Sequence, residues 1–377
     1  MQRATTALFT RAACSAAALS LLNVAALAAP DRIYQSNGSI LEDVTVVEEG
    51  LGTVTYKPSG SKNEETVDSE LVLDIEFSNK PEEVAMADVD ASNEAFGSAL
   101  AGMQNYLENL GGKNDKKFPW APNYARYRIV ELSAFMNDVA GMSAAVDALV
   151  AAAPDSRYAP LAMIDKIETL LLNGNAADAK ASAAAFKEMI AAKGLTQRWK
   201  YEQELLALRA DTSKRGEALE SALQALSRSA AVFPTVTNAA DVATAESMLA
   251  RSEFAAAEEL FRGVTEASNA DDATMAAAFT GLGDCLYRRA EAKASSDEEA
   301  AKALFGEAQL AFMRTVVNYR LQYAHVAKAA FYAGRCFQQI GGEGSKEKSS
   351  KLLISVIVNF KGSKWAESAK EFQKRNR

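Results

Sequence analysis

Leu282-Gly283-Asp284-Cys285 recurs 51 residues later as Ala333-Gly334-Arg335-Cys336, and this pair decides how the chain is read. The same offset carries Ala257, Phe261 and Val264 onto Ala308, Phe312 and Thr315. Asn318-Tyr319-Arg320 returns 41 residues on as Asn359-Phe360-Lys361, so the ten-residue difference falls in the connection around Glu291 to Glu299. There Ser295-Ser296-Asp297-Glu298 reads as a capping start for the next helix. Within each copy the apolar residues recur at helical spacing. A small residue beside a large apolar one, followed on the next helix by Ala and an aromatic, suits two helices pressed close together. Self-similarity at a fixed offset of this size predicts stacked helical hairpins, each burying its apolar stripe on a neighbour.

These residues resemble the tetratricopeptide repeat family. The likeness rests on Leu282, Gly283 and Leu286 with Ala308, Phe312 and Thr315, then on Ala333, Gly334 and Phe337 with Ser349, Leu353 and Val356. Ala245 and Met248 with Ala257, Phe261 and Val264 supply a third unit. Ala153-Pro154-Asp155-Ser156-Arg157-Tyr158-Ala159 and Phe360-Lys361-Gly362-Ser363-Lys364-Trp365-Ala366 are similar to the family's junction between repeats, with Lys361 replacing its Pro. The resemblance implies an α-solenoid over residues 124–377, clearest in 239–377, with about six hairpins of about 40 residues and a terminal helix from Ser363.

In that family the first helix of each pair lines a concave groove that holds an extended peptide or another protein's tail. Carried onto this chain, the resemblance implies a groove made by Thr280, Asp284, Tyr287, Arg288, Lys328, Phe331, Arg335, Gln338 and Gln339. Arg288, Lys328 and Arg335 would form a basic, aromatic-flanked strip suited to an acidic protein or peptide partner. The family's carboxylate-holding grooves usually use Asn where Asp284 and Arg335 stand, so that specificity is not carried over.

Working outward, the segment before the helices has period two. Val44 and Val46, Val54 and Tyr56, then Leu71, Leu73, Ile75 and Phe77 alternate with polar residues, which predicts strands with one apolar face. Glu49-Gly50-Leu51-Gly52 and Pro58-Ser59-Gly60-Ser61 supply the turns. Residues 31–78 are therefore expected as a small antiparallel β module, SH3-like or a meander, that docks on its neighbour or caps the array. Residues 79–123 are read as an acidic linker over Lys80 to Asp90, a helix from about Ala91 to Leu110, and a Gly/Pro loop. At the front, Arg3 and Arg11, the apolar run Ala12 to Ala28 and the pattern Ala26-Leu27-Ala28 read as a signal peptide, residues 1–28. Its removal predicts an exported protein of a bacterial-type envelope, periplasmic or extracellular, with no transmembrane segment left.

The 377 residues are 49% hydrophobic and 24% charged, which excludes the disordered and collagenous classes. Forty-one basic against 49 acidic side chains leave no positive field for nucleic acid, and none is expected as a partner. No HExxH, CxxC, G-x-S-x-G or G-x-G-x-x-G occurs, and Gly111-Gly112-Lys113 lacks the spacing of a phosphate loop. His325 is the sole imidazole, expected in a capping or surface role. Cys285 and Cys336 occupy equivalent positions on first helices of adjacent repeats, beyond disulfide reach, and are expected as buried thiols. The chain thus reads as a non-catalytic adaptor or scaffold with no cofactor. The alternative is an envelope enzyme or carbohydrate binder with its site in the 111–123 loop or where the β module meets the solenoid.

Overall fold

A computed structural model describes residues 30–110, 117–267 and 269–375, so the segment read as a signal peptide and part of the Gly-rich loop lie outside the described residues. Five strands come first: β1 (Asp31–Gln35), β2 (Ile40–Glu49), β3 (Thr53–Pro58), β4 (Glu65–Asp68) and β5 (Val72–Glu76). They pair antiparallel in the order β4-β3-β2-β1-β5. β4 and β5 are consecutive yet occupy opposite edges, joined only by the 3-10 turn Ser69–Leu71. From Asp68 to Val72 the chain reaches about 14 Å at most, whereas the edges of a flat five-stranded sheet stand about 19 Å apart. The sheet therefore curls until its edges approach, which is the SH3-like form of the two expected.

Ile33, Val44, Val46, Val54, Tyr56, Val72 and Ile75 fill the inside of this curl. The alternation expected through Leu71 and Leu73 is interrupted. Adjacent Tyr34 and Gln35 on β1 oppose Asp74 and Val72 on β5, so Leu73 is an extra residue in the ladder. This bulge turns Val72 inward and leaves Leu73 exposed.

The expected linker is instead helix α1 (Glu82–Ser92): Pro81 fixes the chain's entry, and Glu82 and Glu83 sit in the first turn, where the helix dipole favours carboxylates. α2 (Phe96–Glu108) is shorter than expected, because Glu94 takes a positive φ of 62° and folds the segment into a hairpin. Sheet, α1, α2 and the start of the next helix share one core, with Phe77 stacked on Trp120 at 3.5 Å between ring centroids.

Six hairpins follow: α3 (Ala121–Phe135) with α4 (Val139–Ala152), α5 (Tyr158–Leu172) with α6 (Ala176–Lys193), α7 (Gln197–Ala210) with α8 (Glu217–Ser229), α9 (Pro234–Ala250) with α10 (Phe254–Thr265), α11 (Asp272–Lys293) with α12 (Glu298–Asn318), and α13 (Tyr323–Ile340) with α14 (Ser345–Asn359). α15 (Lys364–Arg375) ends the array, so the expected six hairpins and terminal helix are present. α12 is capped by Asp297, whose side chain accepts from the Ala300 N–H, rather than by a serine. Each first helix packs on the first helix of the next hairpin, from α3 on α5 through to α13 on α15. First helices therefore form the inner side of the solenoid and second helices the outer.

The repeat register is visible in the packing. A Cβ on Gly283 would stand 2.7 Å from the Phe312 ring, and one on Gly334 would stand 3.2 Å from Leu353, the equivalent partner. Ala308, Phe312, Thr315, Ser349, Leu353 and Val356 are all essentially inaccessible. The array also winds far enough for the turn between α1 and α2 to touch the start of the last hairpin. Glu94 pairs with Arg320 at 3.3 Å, and the Phe96 ring meets Tyr323 edge-on at 5.5 Å. Among the described residues no helix is long and apolar enough to cross a membrane.

Candidate functional site

At 100° per residue, Asp284, Arg288 and Glu291 share one stripe of α11, and Lys328, Arg335 and Gln339 share one stripe of α13. The two stripes lie side by side on the inner surface and are knitted by charge. Lys328 Nζ lies 2.7 Å from Asp284, which also pairs with Arg288 at 3.5 Å. Arg288 reaches Glu291 at 3.1 Å and donates to the Tyr332 hydroxyl at 3.3 Å, while Arg335 reaches Glu291 at 3.5 Å. The Arg335 guanidinium also lies 5.0 to 5.8 Å from the ring centroids of Tyr287, Phe331, Tyr332 and Phe372. Rings of that number around one cation favour a fixed guanidinium plane.

The structure thus brings together Asp284, Arg288, Lys328 and Arg335 but changes their character. The strip is not a free basic surface: its three cations already face two carboxylates, leaving a small positive excess on the side of Arg288. Thr280 and Tyr287 are not on it. They lie about a quarter-turn round α11 from Arg288, the exposed edge of the stripe, on the buried side where Thr280 hydrogen-bonds Thr315 at 3.2 Å and Tyr287 packs on Phe305 and Tyr332. Phe331 is likewise buried, against Trp365 and Phe372 of the terminal helix. Gln338 is half-buried and Gln339 exposed at the end of the stripe. Glu291, Tyr332, Trp365 and Phe372 were missed. Glu291 follows Arg288 at i+3 and Tyr332 follows Lys328 at i+4, spacings that place both within reach on a helix.

Farther back along the inner surface, α3, α5 and α7 contribute a second charged stretch. Arg209 pairs with Glu168, Arg128 with Glu131 at 2.6 Å, and Arg198 with Glu202 at 3.7 Å. Burial is the chief cause that pushes the Asp165 carboxyl up to about 7, with repulsion from Glu131 next. Burial also raises Glu202 to about 7, against the attraction of Arg198. His325 stands in the first turn of α13, half-buried rather than on the surface, and it caps nothing. Burial, then the charges of Lys328 and Arg209, push it down to about 4, so the imidazole is neutral. Cys285 and Cys336 are buried free thiols, and burial pushes Cys285 up to about 12.

The place where the β module meets the solenoid is filled by the module's own docking contacts. Glu49 is buried and accepts from Ser156 Oγ at 2.7 Å and Asn123 Nδ2 at 2.8 Å. The Leu51 N–H donates to the Asp155 carbonyl at 2.7 Å, and buried Arg157 donates to the Val72 carbonyl at 2.9 Å. The 153–159 junction is thus both the turn between hairpins and the seat of the sheet. Against known proteins, the chain matches no family model, no curated protein and no solved structure.

Proposed function

We propose that this protein is an exported, non-catalytic scaffold of tetratricopeptide type that holds a segment of another protein on the inner face of its helical array. The observation that carries this reading is the inner stripe of Arg288, Lys328, Arg335 and Gln339, framed by buried rings and held in register by Asp284 and Glu291. Such a surface is pre-organised: the cations are oriented before a ligand arrives, so little side-chain entropy is lost on binding. Arg288 is the most exposed of the three, with 42% of its side chain accessible, and is the group an incoming carboxylate meets first. A carboxylate there would compete with Glu291 for the guanidinium, which favours an extended acidic segment spanning both helices over a single anion.

The test is affinity capture from an envelope extract with the mature protein, its Arg288→Glu variant, and an outer-face control, Lys187→Glu on α6. The captured partner should be lost with Arg288→Glu, retained with Lys187→Glu, and released as salt rises. Retention of every partner by Arg288→Glu would refute the inner-face assignment.

A further inference from the structure

We infer that the outer face of the last two hairpins is a docking surface for an anionic lipid bilayer. Four large aliphatic side chains project from it: Leu310 and Val317 on α12, exposed 63% and 57%, and Ile354 and Val358 on α14, exposed 50% and 54%. α12 and α14 both pack on α13, so these residues belong to neighbouring elements of one outer surface. On each helix the two aliphatics share a stripe, at i and i+7 on α12 and at i and i+4 on α14. They point away from the core that α12 and α14 build with Phe312, Leu353 and Val356.

Charge says what covers them. The chain is acidic overall, yet residues 345–361, which are α14 and its exit, carry four Lys against one Glu. Lys351, which pairs with Glu347 at 2.7 Å in open solvent, precedes Ile354 by three residues on the same stripe, and Lys361 follows Val358 by three. Their flexible stems allow the aliphatics to enter the headgroup layer while the ammonium groups stay among phosphates. Lysines bordering exposed aliphatics suit a negatively charged membrane surface. The mixture of aliphatics and lysines decides between a membrane and an acidic protein: an acidic chain would pair the lysines and leave the four aliphatics in water, whereas a bilayer takes both. The inner stripe would remain free for a protein partner while the outer face is held at the bilayer.

The test is co-sedimentation of the mature protein with vesicles of phosphatidylcholine plus phosphatidylglycerol, and with vesicles of phosphatidylcholine alone. Binding is expected to the anionic vesicles only, weakening as salt rises. Lys351→Glu with Lys361→Glu should lower partitioning about ten-fold or more, and Ile354→Ser with Val358→Ser should do the same at unchanged charge. Val317→Ser on α12 is an independent check should the α14 variants lose helical circular dichroism. Absence of sedimentation, equal binding to both vesicle types, or full binding by the folded variants would overturn the proposal. So would capture of an acidic polypeptide such as polyglutamate in place of vesicles.

Discussion

Gly281→Ala on α11 tests the packing of the repeat at a single atom. A Cβ there would lie 2.2 Å from Cζ of Phe261 and within 2.6 Å of two further ring atoms, and Phe261 is fully buried. Overpacking of a filled core costs roughly 1–3 kcal/mol, and a clash with a whole ring edge falls at the upper end. Alanine is about 1 kcal/mol better than glycine inside a helix, which offsets part of that cost. The net expectation is a loss of about 2 kcal/mol. Gly263 on α10 is the internal control: it is helical and exposed, with nothing within 4 Å of a built Cβ. Gly263→Ala should gain about 1 kcal/mol, so the two variants should differ by about 3 kcal/mol. At roughly 2–4 °C per kcal/mol, circular dichroism melting should separate them by about 6 °C or more. If both variants gain stability alike, α10 and α11 do not meet in the close contact of Gly281 with the Phe261 ring.

Arg157→Ala should loosen the β module by about 2 kcal/mol, because the buried Val72 carbonyl loses its charged donor; hydrogen exchange confined to residues 31–76 would register it. Cys285 and Cys336 should resist a thiol reagent at pH 8 in the folded protein and react together once it is unfolded, since burial suppresses the thiolate of each. Asp165 has a folded pKa raised to about 7, so the stability it contributes is fully present below the ordinary carboxylate value near pH 4 and is lost as pH rises through about 7. Asp165→Asn should therefore raise the melting temperature at pH 8 more than at pH 5, and an equal shift at both would refute the assignment. Arg335→Glu should lower stability measurably, because it strips a cation from four rings and sets a carboxylate beside Glu291.

How much of this was legible in the sequence follows from what kind of signal each part carries. Gly283 opposite Phe312 and Gly334 opposite Leu353 could be read directly, because close helix packing constrains residue size and the constraint repeats at a fixed offset. The β module was legible as alternation, yet Leu73 was misplaced because a bulge on β5 leaves no compositional mark. α1 was hidden by its own acidic first turn, since Glu82 and Glu83 after Pro81 look the same in a linker and at a helix start. At the site, the cations and Asp284 were found from their place in the repeat. Their mutual pairing was not, because it depends on the spacing between α11 and α13. Thr280 and Tyr287 were placed on the groove by family position, whereas helical phase turns them into the interhelical contact. The closure of Glu94 on Arg320 spans 226 residues and depends on the summed twist of every hairpin, which no local pattern encodes.

The most direct measurement is photocrosslinking from the inner face. A photoreactive amino acid placed at Gln339 on α13 or at Glu246 on α9, both exposed, should capture one and the same partner segment in cells that produce the protein, and the crosslink should disappear with Arg288→Glu. The same probe at Lys187 on the outer side of α6 should capture nothing in common with them. A partner caught from Lys187 but not from Gln339 or Glu246 would contradict the claim that the inner helices hold the ligand.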